Sequence, residues 1–268
     1  MLAASAPEGI VYSASGELYV AEAIRSARSS LRRTSLPHVL FASSDAERAL
    51  AACEGLEGLS VMPFEPSENP YLDKIANMRR SPFERTLYLD TDTFVVEDVA
   101  HLLRLLDRYD LAAAHTAEGR GPRDPDVPPA FYEFNTGVLA WSASERTAAF
   151  MESWEETYRR WFEHGDPFPT PGHGSRSGRA DQLAFRRCAW ERDVAVFVLA
   201  PEYNFRVGYP TTVGCRVAII HGRHSDYEGL AARLNAHEVP RSWPPPLSLR
   251  AKVMRRVRKL APAQRTSS

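Results

Sequence analysis

Asp90 and Asp92, with Thr91 between them, close the apolar run Leu87-Tyr88-Leu89 within the stretch Arg85–Val96. Along an extended chain side chains alternate, so acids at i and i+2 project to one side. Like charges so near each other repel, and burial adds to the cost. A cation between them removes it. The apolar run fits a strand buried on both faces inside a parallel sheet, and ligands of open α/β sheets bind at the carboxyl ends of strands. The pair is therefore the expected catalytic centre. His221 closes another expected strand, Val217 to Ile220, and offers an imidazole nitrogen to the same ion. Oxygen ligands alone suit Mg²⁺ or Ca²⁺, while an added imidazole tilts the choice towards Mn²⁺. Phosphate oxygens would fill the remaining positions, and an ion so placed acts as a Lewis acid on a departing diphosphate.

The elements that would position these residues alternate. Gly9–Ser13 is an expected first strand, followed by a helix over Glu17–Arg33 whose apolar stripe is Leu18, Ala21, Ile24, Ala27 and Leu31. Strands are expected at His38–Ala42 and Leu59–Met62, with a capping box from Ser44 to Glu47 opening a helix that ends near Cys53. A helix over Tyr71–Arg80 carries Lys74, Arg79 and Arg80; it is either a solvated basic face or the source of a cation, Lys74 or Arg79, for a diphosphate. Beyond the acids come a helix (Val99–Tyr109), a strand (Leu111–Ala114), a long loop (His115–Phe134) and a strand (Val138–Trp141). A capping box from Ser142 to Glu145 opens a helix whose aromatics Phe150, Trp154, Tyr158 and Trp161 suit a core. The loop Gly165–Arg179 leads into a helix with Asp181 in its first turn, and a strand follows at Ala195–Leu199. This order predicts an α/β fold with a mostly parallel central sheet and helices on both faces.

The 268 residues allow one large domain, and the expected division is 1–240 for the globular part and 241–268 for a Pro-rich hinge and tail. No positive segment followed by a long apolar one opens the chain, and Cys53, Cys188 and Cys215 form no CxxC pair. A cytoplasmic protein with reduced thiols is the expectation. The net charge of −1 conceals an asymmetry: from Leu247 onward there are seven basic residues and no acidic ones. Leu247–Leu260 has the pattern of a basic amphipathic helix, suited to an anionic membrane surface, to the acidic body or to a partner chain. Nothing in the body suggests a nucleic-acid groove.

The order of features resembles the GT-A fold nucleotide-sugar glycosyltransferases, and among them the retaining family 8 type, glycogenin-like and bacterial lipooligosaccharide galactosyltransferase-like. The resemblance rests on Ile10-Val11-Tyr12-Ser13 with Tyr19 after it, on Lys74 ahead of Leu87–Asp92, and on Phe134-Asn135-Thr136-Gly137-Val138. Asp181-Gln182, Tyr203-Asn204 and Ile220-His221 complete it, over residues 9 to about 223. It implies a metal-dependent transfer of a sugar from a nucleotide diphosphate donor, with UDP the expected nucleotide, to a hydroxyl acceptor with retention. By the same resemblance, Tyr12, Ser13 and Tyr19 line the nucleotide pocket. Asp90 meets ribose and metal, Asp92 and His221 ligate Mn²⁺ (or Mg²⁺), and Lys74 lies on the nucleotide side. Asn135, Asp181 and Gln182 touch the donor sugar. The chain departs from the pattern at Leu183, where a third carboxylate is usual, and after His221, where Arg223 offers the cation usually supplied by a lysine.

Each residue also has a plain structural reading. His221 can close a strand, Asn135 can form a turn with Gly137, and Asp181 can be a first-turn helix acid. The competing enzyme class is the haloacid dehalogenase-type phosphatase, whose strand also ends in Asp-x-Asp. Against it, Phe94 stands where Thr or Val is expected, and no later Gly-Asp or Asp-Asp motif follows on a strand. A non-catalytic nucleotide-sugar binding protein is the other alternative.

Overall fold

The computed structural model describes residues 7–44, 50–117, 124–165 and 180–243. The capping box at Ser44–Glu47, the loop over 166–179 and the basic tail therefore fall wholly or partly outside the described residues. The central sheet is built from β1 (Glu8–Ala14), β2 (His38–Ser43), β3 (Leu59–Phe64), β4 (Arg85–Leu89), β6 (Leu111–His115), β7 (Phe134–Ser142) and β8 (Val196–Leu199). Its order is β3-β2-β1-β4-β7-β6-β8. Neighbours are parallel except that β7 runs antiparallel between β4 and β6, so the sheet is mostly parallel, as expected.

Alternation along the strands divides the core in two. Ile10, Tyr12, Leu87 and Leu89 face α1 (Glu17–Leu31) and the 3₁₀ helix Ala100–Asp107. Val11, Phe41, Tyr88 and Leu139 face α2 (Pro70–Arg79), α3 (Glu145–His164) and α4 (Ala180–Glu191). The aromatics Phe150, Trp154, Tyr158 and Trp161 of α3 are all buried there, as their spacing predicts.

Three local expectations change. The buried stripe of α1 is Val20, Ala23, Ile24 and Ala27, whereas Leu18 is 65% exposed and Ala21 lies outside too. The helix is turned by serines that apolar periodicity does not count. Ser26 Oγ meets Thr93 Oγ1 at 2.7 Å, and Ser29 Oγ accepts from Val95 N at 2.9 Å. The helix expected over Val99–Tyr109 is the shorter 3₁₀ helix already named. The cap of α3 is Ser144, whose Oγ accepts from Thr147 N while Thr147 Oγ1 accepts from Ser144 N, displacing the Ser142–Glu145 pair.

A second, smaller layer carries half of the site. β5 (Thr93–Val95), β11 (Ile219–His221) and β9 (Phe205–Arg206) form a three-stranded sheet in that order. The strand expected at Val217–Ile220 thus begins later and belongs here rather than to the central sheet. β10 (Thr211–Val213) pairs with β12 (Arg241–Trp243), and α5 (Tyr227–Leu234) covers a core of Phe94, Phe205, Ile220 and Leu230. Arg241–Trp243, the start of the expected hinge, is therefore a strand of the body.

Candidate functional site

Asp90 and Asp92 come together through a turn, not through alternation on one strand. β4 ends at Leu89, and Thr93 returns both its N–H and its Oγ1–H to the Asp90 carbonyl, at 3.1 and 2.8 Å. The chain then leaves the central sheet for β5. Pairing register does the rest: His221 lies opposite Thr93 on one side and Arg206 on the other. His221 Nε2 consequently sits 3.3 Å from Asp92 Oδ1 and 3.6 Å from Asp90 Oδ2. One ligating atom from each of Asp90, Asp92 and His221 lies within 4.8 Å of the other two.

Whether this trio suits a metal depends on which imidazole nitrogen carries the proton. A hydrogen-bond chain answers that, starting from a donor whose identity is fixed. Gly137 N–H donates to Asn135 Oδ1 at 3.2 Å, so that atom is an acceptor. Asn204 Nδ2 donates to it at 2.8 Å, which leaves Asn204 Oδ1 to accept from His221 Nδ1–H at 2.7 Å. The Nε2 lone pair is then free and faces both carboxylates. Two carboxylates and a neutral imidazole are a fitting donor set for Mn²⁺ or Mg²⁺.

Gly137 is required by contact as well as by its amide. A Cβ there would overlap the His221 ring and Asp90 Oδ2. Gly137→Ala is expected to push both ligands apart, costing about 1–3 kcal/mol as overpacking does. Calorimetric Mn²⁺ titration should find the ion site lost while circular dichroism stays native. A variant that binds Mn²⁺ like the parent would refute this geometry.

Behind the acids lies a buried ionic network. Lys74 Nζ is 3.1 Å from Asp90 Oδ1 and 3.6 Å from Asp181 Oδ2, and it donates to Thr136 Oγ1 at 3.1 Å. Tyr88 O–H donates to Asp90 Oδ1 at 2.9 Å, and Thr136 O–H to Asp181 Oδ2 at 2.7 Å. Burial works against the Lys74 charge, but Asp90 and Asp181 outweigh it and raise its pKa. Burial likewise raises Asp181, opposed mainly by Lys74 and Thr136. Glu133, next to this network, is pushed up to about 8 by burial and by the charge of Asp181, so at neutral pH it stays largely protonated. Trp154 Nε1 donates to the Asp181 carbonyl at 2.7 Å, fixing the first turn of α4.

Lys74, Tyr88, Asp90, Thr136 and Asp181 line a cavity of about 770 Å³ at the carboxyl ends of β1 and β4. Of the residues singled out in the sequence, Ser13, Tyr19, Lys74, Asp90, Asp92, Asn135, Asp181, Gln182, His221 and Arg223 all line it. Tyr12 does not: it points to the α1 side of the sheet and is wholly buried, because residues 12 and 13 face opposite sides of β1. Lys74 lines the cavity with its charge already committed to Asp90, Asp181 and Thr136. Arg79, the alternative cation, lies outside and pairs with Glu152 and Glu155. Among the cavity residues that went unrecognised are Tyr71, Thr116, Arg206 and Tyr209. Two supports also went unrecognised, Asn204 behind His221 and Glu22 behind Arg223. Asn204 stands within the run that carried the resemblance, and Glu22 is a charge within the buried face of α1. The long loop before β7 is tied to α4 by Arg187, paired with Asp124 at 2.6 Å, and by Arg186, which donates to the Phe131 and Pro128 carbonyls.

No protein-family model and no curated protein matches the chain. Solved structures do. The bifunctional glycosyltransferase WbbM is 14% identical with a TM-score of 0.53, over 75% of this chain and 40% of that one. The galactosyltransferase LgtC, solved with donor and acceptor sugar analogues, is 17% identical with a TM-score of 0.53, over 84% of this chain and 96% of that one. GlyE of Streptococcus pneumoniae is 18% identical with a TM-score of 0.57, over 82% of this chain and 56% of that one. The chain thus spans well under two thirds of WbbM and GlyE and nearly all of LgtC. A phosphatase fold is not favoured. At these identities the likeness concerns architecture, and the architecture is that of the GT-A glycosyltransferases.

Proposed function

We propose that the chain is a metal-dependent glycosyltransferase that moves a sugar from a nucleotide diphosphate donor, UDP-linked, to a hydroxyl acceptor with retention. The observation that carries this reading is the trio Asp90, Asp92 and His221, its histidine tautomer set by Asn204, inside the large cavity of a GT-A fold. A divalent ion held by the trio would supply Lewis-acid stabilisation of charge on the leaving diphosphate. The chain's own residues do the positioning. Lys74 holds Asp90 and Asp181 in register across the cavity floor, while Asn135, whose Nδ2 donates to Gln182 Oε1 at 3.4 Å, and Gln182 line the space a sugar would fill. Ser13 and Tyr19 form the wall on the nucleotide side.

Retention is supported by the state of the carboxylates. The acids lining the cavity are Asp90, Asp92 and Asp181. Two belong to the ion site, and the third is bound by Thr136 and Lys74 with its other oxygen buried. Among the described residues none stands free as a nucleophile behind the sugar or as the base an inverting attack from that side uses, which favours attack by the acceptor on the face the diphosphate leaves.

Thermal denaturation with UDP or GDP, with and without Mn²⁺, tests the reading. A ligand at about 100 times its Kd stabilises by about 2.7 kcal/mol, a rise of several degrees. The expected result is a rise with one nucleoside diphosphate that grows when Mn²⁺ is added. Turnover of phosphate monoesters, with no response to either nucleotide, would sink it. A screen of sugar nucleotides by product release then identifies the donor. No helix among the described residues is long and apolar enough to cross a membrane. We propose a cytoplasmic location, with the tail over 247–260 reaching an anionic membrane surface.

A further inference from the structure

Two arginines face the cavity, and their surroundings differ. Arg223 follows Gly222, whose φ of 114° lets the chain turn back towards α1. Its Nε and Nη2 donate to the two carboxylate oxygens of Glu22 at 2.6 and 3.0 Å, and its guanidinium lies over the Tyr19 ring. Glu22 is buried, so this pair is fixed, and the Nε–Nη2 edge of Arg223, the one suited to bidentate binding of an oxyanion, is already used. Arg206 has no carboxylate within ion-pair distance among the described residues. Its Nη1 lies 2.8 Å from Nε2 and 3.1 Å from Nδ1 of His221. An atom on the Nε2 lone-pair axis would be much nearer one nitrogen than the other. The guanidinium therefore rests against the imidazole face and leaves that lone pair open. Arg206 Cζ is also 5.6 Å from the centre of the Tyr209 ring. Strand pairing of β9 with β11 fixes the backbone of Arg206 opposite His221.

The result is a planar cation against two rings, beside a cation site, with donors left over. A cation in that place opposes the binding of a metal ion alone. It favours an anion that arrives with the ion and spans both charges, and a diphosphate has the length and the charge to do so. We propose that Arg206, rather than Arg223, is the side chain that grips the donor diphosphate next to the ion. Arg223 and Glu22 instead brace the wall at Tyr19. This rests on the glycosyltransferase reading and deepens it. It also makes ion and diphosphate binding mutually reinforcing, since each offsets charge that opposes the other.

Calorimetric titration with UDP and UMP (or GDP and GMP, if guanosine is the base bound) in Mn²⁺ tests it on the full chain and on the variants Arg206→Gln, Arg206→Lys and Arg223→Gln. Arg206→Gln should bind the diphosphate about 10- to 100-fold more weakly while the monophosphate changes little, the loss expected for charge-assisted hydrogen bonds. Arg206→Lys keeps the charge without the fork and should fall between, and Arg223→Gln should keep most of the preference. Arg206→Gln should also bind Mn²⁺ alone at least as tightly as the parent. If both Arg206 variants keep the parental preference for diphosphate over monophosphate, or if Arg223→Gln loses it instead, the assignment is overturned while the transferase reading stands. A parent chain that binds no nucleoside diphosphate overturns both.

Discussion

Replacing Lys74 by methionine is expected to lower stability by about 3–5 kcal/mol, the cost of removing one partner from a buried ion pair. By the scaling of melting temperature with stability, that is a drop of roughly 10 °C. The side chain is 7% exposed and its ammonium serves Asp90, Asp181 and Thr136 together. Methionine fills similar space, so the loss is chiefly electrostatic. The pH dependence identifies it. Burial already raises the Asp181 pKa, and Lys74 is the largest influence opposing that rise. Without Lys74 the folded-state pKa goes higher still. A carboxyl with a higher pKa folded than unfolded binds its proton more readily in the folded state. The deficit is thus fully developed above the raised pKa and shrinks as pH falls through it towards the ordinary carboxylate range. Urea unfolding of parent and variant at pH 7.5 and pH 5 measures this. A deficit of equal size at both would mean that lost packing, not an uncompensated carboxylate, is the cause.

Asp92→Asn is the second large effect, and it falls on binding. Burial pushes the Asp92 carboxyl up, but with no ion bound and a second proton on His221, at Nε2, the hydrogen bond and charge of that imidazolium, followed by Arg206 and Arg223, outweigh this and hold it at about 2. Asp92 is therefore fully charged at any working pH. Its depressed pKa contributes stability present above the unfolded carboxylate pKa and lost as pH falls through about 2. Asparagine forfeits that contribution, on the order of 1–2 kcal/mol, and the fold survives. The ion site does not. Altering a group that merely supports a ligand costs 10- to 100-fold in metal affinity, so removing a ligand charge should cost more than about 100-fold. The expected result is a folded protein whose melting temperature no longer gains from Mn²⁺ added with UDP or GDP. An undiminished gain would remove Asp92 from the ion site.

The sequence carried those features that depend on local order. Alternating strands and helices, the long aromatic stripe of α3 and the carboxyl-end position of the two acids all follow from periodicity over short windows. So did most residues of the cavity, through Asp-x-Asp and the runs that resemble glycosyltransferases. Contacts between segments far apart in the chain were not legible. Asp90 and Asp92 converge by a turn between two sheets, and only the pairing of β5, β11 and β9 sets His221 and Arg206 beside them. No pattern near Arg206 marks it, because its significance lies in the His221 face it rests on. Tyr12 shows the converse: of two neighbours in one run, Ser13 lines the cavity and Tyr12 is buried on the other side of the strand, which one residue of register decides. Lys74, which the sequence left as either a solvated charge or a cation for a diphosphate, is instead bound within a pair of carboxylates. Residue type and spacing determined which groups this protein has for its chemistry. Tertiary pairing decided which of them are already spent on each other and which remain for a ligand, because a charge is neutralised by its neighbours in space, whatever their distance along the chain.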